Sequence, residues 1–377
     1  MAGKILNKID NVIDFSKNPD LLEEELSELI EDKNSIGLLE EKASISQKRV
    51  MKLIEESSKD FINREEAVKT ILAGLVSGIS VVLFGPPGTA KSALIRRITS
   101  LSGLNSSEEK YFEYLLTNHT MPEEIFGSVN LEELSKGRIK RETRGKLPKA
   151  EIAFLDELFR GGSHILNTLL TIINEKRFDS GDGMEQVPLL GLIGASNDVP
   201  RDPDLEAFYD RFPIRVWLES VLDTNIKSLD SFEKNTYELL DSSLQNEKRR
   251  IFSSWNPKVS IEKEKQGIIS CTNDFRLIRA YIISNIRNAS KERKDQYINM
   301  FKDVKYRCRL SDRSFGFLWL YAAALDFING RDITCKSPES QGHIDVFKYV
   351  PRSRKDCSFL EDIVKKRKNN DNYTSNI

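Results

Sequence analysis

The chain has 377 residues, 39% of them hydrophobic and 31% charged, with a formal net charge of −1. That length holds about two or three domains at roughly 150 residues each, and it can bury a sizeable core. The near-zero balance excludes a global basic field that would recruit nucleic acid or membrane, leaving only local patches for such contacts.

The N-terminus, "MAGKILNKIDNVIDFSKNPD", is charged throughout and lacks an apolar core, so it does not read as a signal peptide. "LLEEELSELIEDK" follows as an acidic amphipathic helix, within a charged extension over residues 1–47. Residues 48–221 alternate short apolar runs with helical patterns, which is the mark of a parallel α/β sheet. Three runs read as strands covered on both faces: Ser80 to Phe84, Glu151 to Leu155 and Leu189 to Ala195. Each ends abruptly in polar residues, and open parallel sheets bind ligands at the carboxyl ends of their strands.

The first strand runs into "GPPGTAKS", which departs from the phosphate-loop pattern G-x-x-x-x-G-K-[ST] only at Ala90. A triphosphate needs many donors, and amides at a helix N-terminus supply them with the helix dipole. Pro86 and Pro87 have no N–H and shape the loop, while the amides of Gly88, Thr89, Ala90, Lys91 and Ser92 can point inward. Lys91 would reach the β- and γ-phosphates and the Ser92 hydroxyl would bind Mg²⁺, with "SALIRRI" as the helix. The bland alternative is a strand–turn–helix with a glycine turn. Alanine at position 90 costs little at negative φ, so the expectation is a helical Ala90 with the special conformation carried by Gly88.

The second strand, "EIAFLDELFRGG", ends in two adjacent acids. Strand alternation is expected to point them in different directions, with Asp156 toward Mg²⁺ and Glu157 toward the attacking water. The plain alternative is a capping aspartate beside a solvated glutamate. In the next helix Ile165, Leu166, Leu169, Leu170, Ile172 and Ile173 read as core, and His164 as surface. The third strand delivers Asn197, whose amide can orient water together with Glu157. Downstream, Arg211 precedes the strand-like "PIRVWL"; it reads equally as a finger for a neighbouring subunit's γ-phosphate or as an ion-pair partner of Asp210 or Glu206.

Residues 222–345 read as helices. Their longest apolar run, Phe315 to Leu325, falls short of the ~20 residues a membrane span needs. Residues 346–377 form a tail whose last ~13 residues, polar and Asn-rich behind a basic run, read as disordered. The four cysteines form no C-x-x-C pair and the three histidines lie far apart, which points to free thiols in a reducing, cytoplasmic setting and away from zinc.

Together these residues resemble the AAA+ ATPases of the MoxR family, and within it the RavA-like subfamily. The resemblance rests on "GPPGTAKS", "TMPEEIFGSV", "RGKLPKAEIAFLDELFRGGSHILNTLLTIINEKRF", "ASNDVPRDPDLEAFYDRFPIRVWL" and "LSDRSFGFLWLYAAALDFINGRD". It implies an α/β P-loop NTPase fold, an αβα sandwich around a parallel sheet, followed by an all-α lid. It implies that Gly85, Pro86, Pro87, Gly88, Thr89, Ala90, Lys91, Ser92 and Ala93 bind ATP with Mg²⁺ on Ser92 and Asp156. Glu157 and Asn197 would act on the water, Arg211 would be the arginine finger, and Arg313 would sense nucleotide from the lid. Alanine before the lysine is common in MoxR loops. The family further implies a homo-oligomeric, hexameric ring that remodels a partner protein, often one carrying a von Willebrand A domain. RavA-type proteins continue past the lid into a docking domain, whereas this sequence ends soon after it, so that domain's partner is not expected.

An insert of the family would contain "LSKGRIKRETRGKLPK", with seven basic residues between Lys136 and Lys149. It reads as a solvated hairpin or, more sharply, as a loop gripping an acidic substrate or nucleic acid. Two rivals follow: a nucleic-acid or defence NTPase using this insert, and a nucleotide-gated scaffold that does not hydrolyse.

Overall fold

The computed structural model describes residues 33–59, 61–103, 110–200, 202–219, 271–291, 294–295, 297–299, 302, 308, 310–331, 333 and 346–351. The acidic stretch before Lys33, residues 220–270 and the tail beyond 351 lie outside the described residues. Among the described residues the strands are β1 (Val81–Phe84), β2 (Tyr111–Leu115), β3 (Ile152–Asp156), β4 (Arg177–Asp179), β5 (Met184–Gln186), β6 (Gly191–Ser196) and β7 (Ile214–Trp217). Five of them form one sheet in the order β2-β3-β6-β1-β7, with every neighbouring pair parallel. β4 and β5 pair antiparallel as a separate hairpin before β6.

Among the described residues the α-helices are α1 (Lys33–Ser58), α2 (Glu65–Ser77), α3 (Lys91–Leu101), α4 (Pro122–Phe126), α5 (Leu131–Ser135), α6 (Ser163–Glu175), α7 (Glu206–Tyr209), α8 (Cys271–Arg287) and α9 (Asp312–Ile328). Strand alternation divides the interior into two cores, one on each face of the sheet. Val81, Leu83, Ile152, Phe154, Ile193 and Ala195 meet α1, α2, α3, α8 and α9 on one face. Val82, Phe84, Ala153, Leu155 and Leu192 meet α4, α6 and α7 on the other. The sheet therefore lies between two helical layers, an αβα sandwich with helical C-terminal elements. Burial on both faces explains why the central strands are continuous apolar runs.

β2 is an addition to the three strands expected. It lies at the sheet edge, carries a charge at Glu113, and was hidden by that polarity. Glu113 is neutralised by Arg96 of α3 at 2.6 Å and accepts from the Tyr111 hydroxyl at 3.0 Å. In α6 the expected stripe is present: Ile165, Leu166, Leu169 and Ile172 are buried, with Leu170 and Ile173 packed at the margin. His164 is exposed.

α1 runs without interruption across position 47, the point at which a separate extension was expected to end. It packs into the same core as α8, where Asp274 accepts from Ser46 Oγ at 2.5 Å and pairs with Arg49 at 3.2 Å. The amide of Gln47 donates to the Phe327 carbonyl of α9. α9 also reaches α2, where the Tyr321 hydroxyl donates to Thr70 O at 3.3 Å. Long-range polar contacts therefore join the helical C-terminal elements to the first two described helices.

Candidate active site

The loop between β1 and α3 is shaped by one tight approach and two left-handed residues. A Cβ at Gly85 would lie 2.5 Å from the Leu218 carbonyl and 3.0 Å from Thr89 Oγ1, so the loop start requires glycine. Gly88 has φ 83, as expected. Ala90 has φ 63 and ψ 25, which overturns the helical conformation expected for it. Its carbonyl accepts the first bond of α3 from Leu94 N–H at 2.9 Å, so Ala90 caps the helix from the left-handed region. A left-handed residue at this point helps turn successive N–H groups toward one concave point, the arrangement that takes anions. The conformation costs an alanine about 1–2 kcal/mol. Pro86 and Pro87 are exposed at the mouth, Thr89 is buried with its hydroxyl on Pro86 O at 2.9 Å, and Ala93 lies half-buried in the first turn of α3.

Lys91 opens α3 and turns its ammonium back under the loop. Nζ donates to Gly85 O at 2.6 Å, Pro86 O at 3.2 Å and Asn197 Oδ1 at 2.9 Å. Burial holds its pKa below the ordinary lysine value, opposed by the negative charges of Asp156 and Glu157. Ser92 Oγ donates to Asp156 Oδ2 at 2.6 Å. These two hard oxygens fit Mg²⁺, which takes one or two protein oxygens and completes its shell with water and phosphate.

The two acids do serve different partners, but not through strand alternation. Asp156 is the last residue of β3, and Glu157 has left the strand at φ 51. That turn lets the Glu157 N–H donate to Asp156 Oδ1 at 2.9 Å and carries its carboxylate to Asn197. Asn197 Nδ2 donates to Glu157 Oε1 at 2.7 Å. Asn197 follows β6, which lies between β1 and β3, so it bridges Lys91 of the loop and Glu157 of the acid pair. The other oxygen of Glu157 pairs with Arg160 Nε at 3.3 Å. Sequence reasoning missed Arg160; its only signal was the i,i+3 spacing from Glu157.

Arg211 pairs with Asp210 at 3.1 Å, one of the two carboxylates considered for it, rather than with the Lys91–Asn197–Glu157 group of its own chain. Arg313 lies in the first turn of α9, and its side chain is outside the described residues. Arg215 was also missed. Its signal was a charge in the middle of the apolar run "PIRVWL", which must find partners once buried.

At least five of the insert's seven bases pair with four acids, two of which the fold brings from the β4–β5 hairpin. Lys136 and Arg138 pair with Glu133, Lys140 with Asp182, Arg141 with Glu123, and Lys149 with Glu185. Lys140 and Lys149 thereby dock the insert on the β4–β5 hairpin, as does Arg141 N–H donating to Ser180 O at 2.8 Å. The solvated-hairpin reading accounts for these contacts.

Residues 48–250 match a family model described as the MoxR domain in the MoxR-vWA-beta-propeller ternary systems. An uncharacterized protein of Methanocaldococcus jannaschii is 35% identical over 301 residues, covering 79% of this chain and 70% of its own. A second uncharacterized protein of the same organism is 45% identical over 168 residues, 44% of this chain and 43% of its own. A structural protein of Acidianus two-tailed virus is 28% identical over 204 residues, 53% of this chain and 32% of its own. Among solved structures, a candidate ATPase of Cytophaga hutchinsonii superposes with a TM-score of 0.58 at 16% identity, covering 87% of this chain and 95% of its own.

Proposed function

The chain belongs to the MoxR domain family of AAA+ proteins, and we propose that it hydrolyses ATP to ADP and phosphate in order to remodel a partner protein. The observation that carries this reading is the hydrogen-bonded chain Lys91–Asn197–Glu157 beside the Ser92–Asp156 pair, all at the carboxyl ends of β1, β3 and β6. In the scheme, Lys91 exchanges the carbonyls of Gly85 and Pro86 for β- and γ-phosphate oxygens. The loop amides and the α3 N-terminus take the remaining phosphate charge. Ser92 and Asp156 would hold Mg²⁺, which neutralises charge developing on the phosphates. Asn197, drawn to the γ-phosphate, and Glu157 then hold the water in line. Glu157 Oε1 takes its proton as the bond from the β–γ bridging oxygen to the γ-phosphorus breaks.

Residues 48–221 form the nucleotide core in this reading, with 222–345 as lid and Arg313 as its nucleotide sensor. Arg211 would act on the site of a neighbouring subunit, which makes turnover depend on assembly, as a closed hexameric ring would provide. The RavA-like assignment rests on the motifs quoted above. A von Willebrand A partner is favoured because the matching family model is named for systems that contain one. A cytoplasmic setting accords with cysteine usage and with the finding that no described helix is long and apolar enough to cross a membrane. Against the nucleic-acid reading, at least five of the insert's seven bases already hold ion pairs within the fold.

Phosphate release by purified Glu157→Gln tests the scheme. The variant should bind ATP and turn over at least about a hundredfold more slowly than wild type, in the range expected for a general base. Hydrolysis near the wild-type rate would overturn the assignment.

A further inference from the structure

β7 is the last strand of the sheet, yet its outer edge is covered. Arg215 N–H donates to Tyr349 O at 2.7 Å, so the segment 346–351 continues the backbone pairing beyond β7. The Arg215 side chain is 1% exposed and is the largest fully buried side chain among the described residues. Its Nη1 donates to Val350 O at 2.7 Å and its Nη2 to Tyr209 O at 3.4 Å. Its guanidinium carbon lies 4.3 Å from the centroid of the Tyr209 ring. An aliphatic side chain would fill a strand position without the desolvation cost that a buried guanidinium carries. What distinguishes arginine here is a planar fork that can grip two carbonyls and an aromatic face at once.

The gripped element is the one that carries Arg211. Tyr209 ends α7, two residues before Arg211; Arg211 N–H donates to Phe208 O at 3.0 Å and Phe212 N–H to Tyr209 O at 3.1 Å. The Tyr209 ring also packs edge-on against Phe84, which ends β1, and Phe159, two residues after Glu157. The same Tyr349 anchors the segment through its hydroxyl on Glu66 at 2.6 Å, and its ring meets Tyr321 of α9 edge-on. We propose that Arg215 is a positioning residue for the finger, setting the α7–Arg211 turn from the 346–351 segment that α9 supports. This role rests on Arg211 acting on a neighbouring subunit.

A subunit-mixing experiment tests it with the whole 377-residue chain. Arg215→Gln and Arg215→Lys are assayed for phosphate release and for binding of a fluorescent ATP analogue. Turnover should fall roughly ten- to a hundredfold, as misplacement of a catalytic group does, with analogue affinity held within about threefold. Because the defect lies in the finger that a subunit lends, Lys91→Ala subunits, with a dead loop and an intact finger, should restore turnover. Arg211→Ala subunits should not. Arg211→Ala mixed with Lys91→Ala serves as the control. If that control is restored and the Arg215 variants are not, the positioning role is wrong. If the control itself is not restored, the trans finger fails and the role of Arg215 falls with it. Wild-type turnover in folded Arg215 variants also overturns the proposal. Arg215→Lys keeps a buried cation and preserves the test if Arg215→Gln does not fold.

Discussion

Ala90→Gly isolates the backbone of the nucleotide loop from its side chains. Ala90 holds φ 63 and ψ 25 directly before α3. A residue with a Cβ pays about 1–2 kcal/mol in the left-handed region, and glycine removes that penalty. Glycine also widens the unfolded ensemble, which costs about 0.4–1 kcal/mol. The difference is a net stabilisation of roughly 0–1.5 kcal/mol, opposite in sign to the ~0.5–1 kcal/mol loss glycine causes inside a helix. For a nucleotide core of this size, 1 kcal/mol moves Tm by about 2–4 °C, so Tm should hold or rise by up to ~5 °C. Thermal melts by circular dichroism, without nucleotide, read this directly. ADP affinity should stay within about threefold, because the loop amides keep their directions. A fall in Tm of more than about 2 °C would refute the left-handed assignment. Ala90→Val supplies the converse: a β-branched residue is poorly accommodated at positive φ, and a melt equal to wild type would count against the same geometry.

Asn197→Ala removes the bridge but leaves Lys91 on Gly85 O and Pro86 O and leaves Glu157 paired with Arg160. ATP binding should survive while turnover drops about a hundredfold, measured by equilibrium titration beside phosphate release; unchanged turnover contradicts the bridge's role. Ser92→Ala takes away the hydroxyl that Asp156 accepts from, and a Mg²⁺ titration of turnover should show half-saturation moved to higher concentration. An unmoved half-saturation point would place the metal elsewhere. Leu169→Asp sets an unpaired carboxylate among fully buried side chains of α6, and chemical denaturation should show a loss of at least about 3 kcal/mol. A smaller loss would mean that α6 does not hold the core.

How much of this was legible in the sequence depended on how local the determining physics is. β1, β3 and β6 were legible because strands buried on both faces must be apolar at every position. β2 was not, since an edge strand can carry a glutamate that a neighbouring helix neutralises, here through Arg96. The identity of Ala90 says nothing about the sign of its φ; the demand comes from the loop joining β1 to α3. Strand alternation was expected to turn Glu157 away from Asp156, whereas its left-handed turn at the exit of β3 does so. The basic insert looked unbalanced because its counter-charges at Asp182 and Glu185 lie on a hairpin some 36 to 42 residues away.

Residue types and their short-range order determined the chemistry available to this protein. A glycine- and proline-shaped loop before Lys91 and Ser92, an acid pair at a strand end, and a polar Asn197 after an apolar run are local statements that any window of the sequence contains. Their assembly into one site is not local. Lys91 and Asn197 are 106 positions apart, Ser92 and Asp156 64, and Glu157 and Asn197 40. Those contacts exist because the sheet order places β6 between β1 and β3, and that order follows from how the crossover helices pack on the two faces. Only the tertiary structure made Asn197 the bridge, turned Glu157 toward it, and seated the 346–351 segment on the buried Arg215.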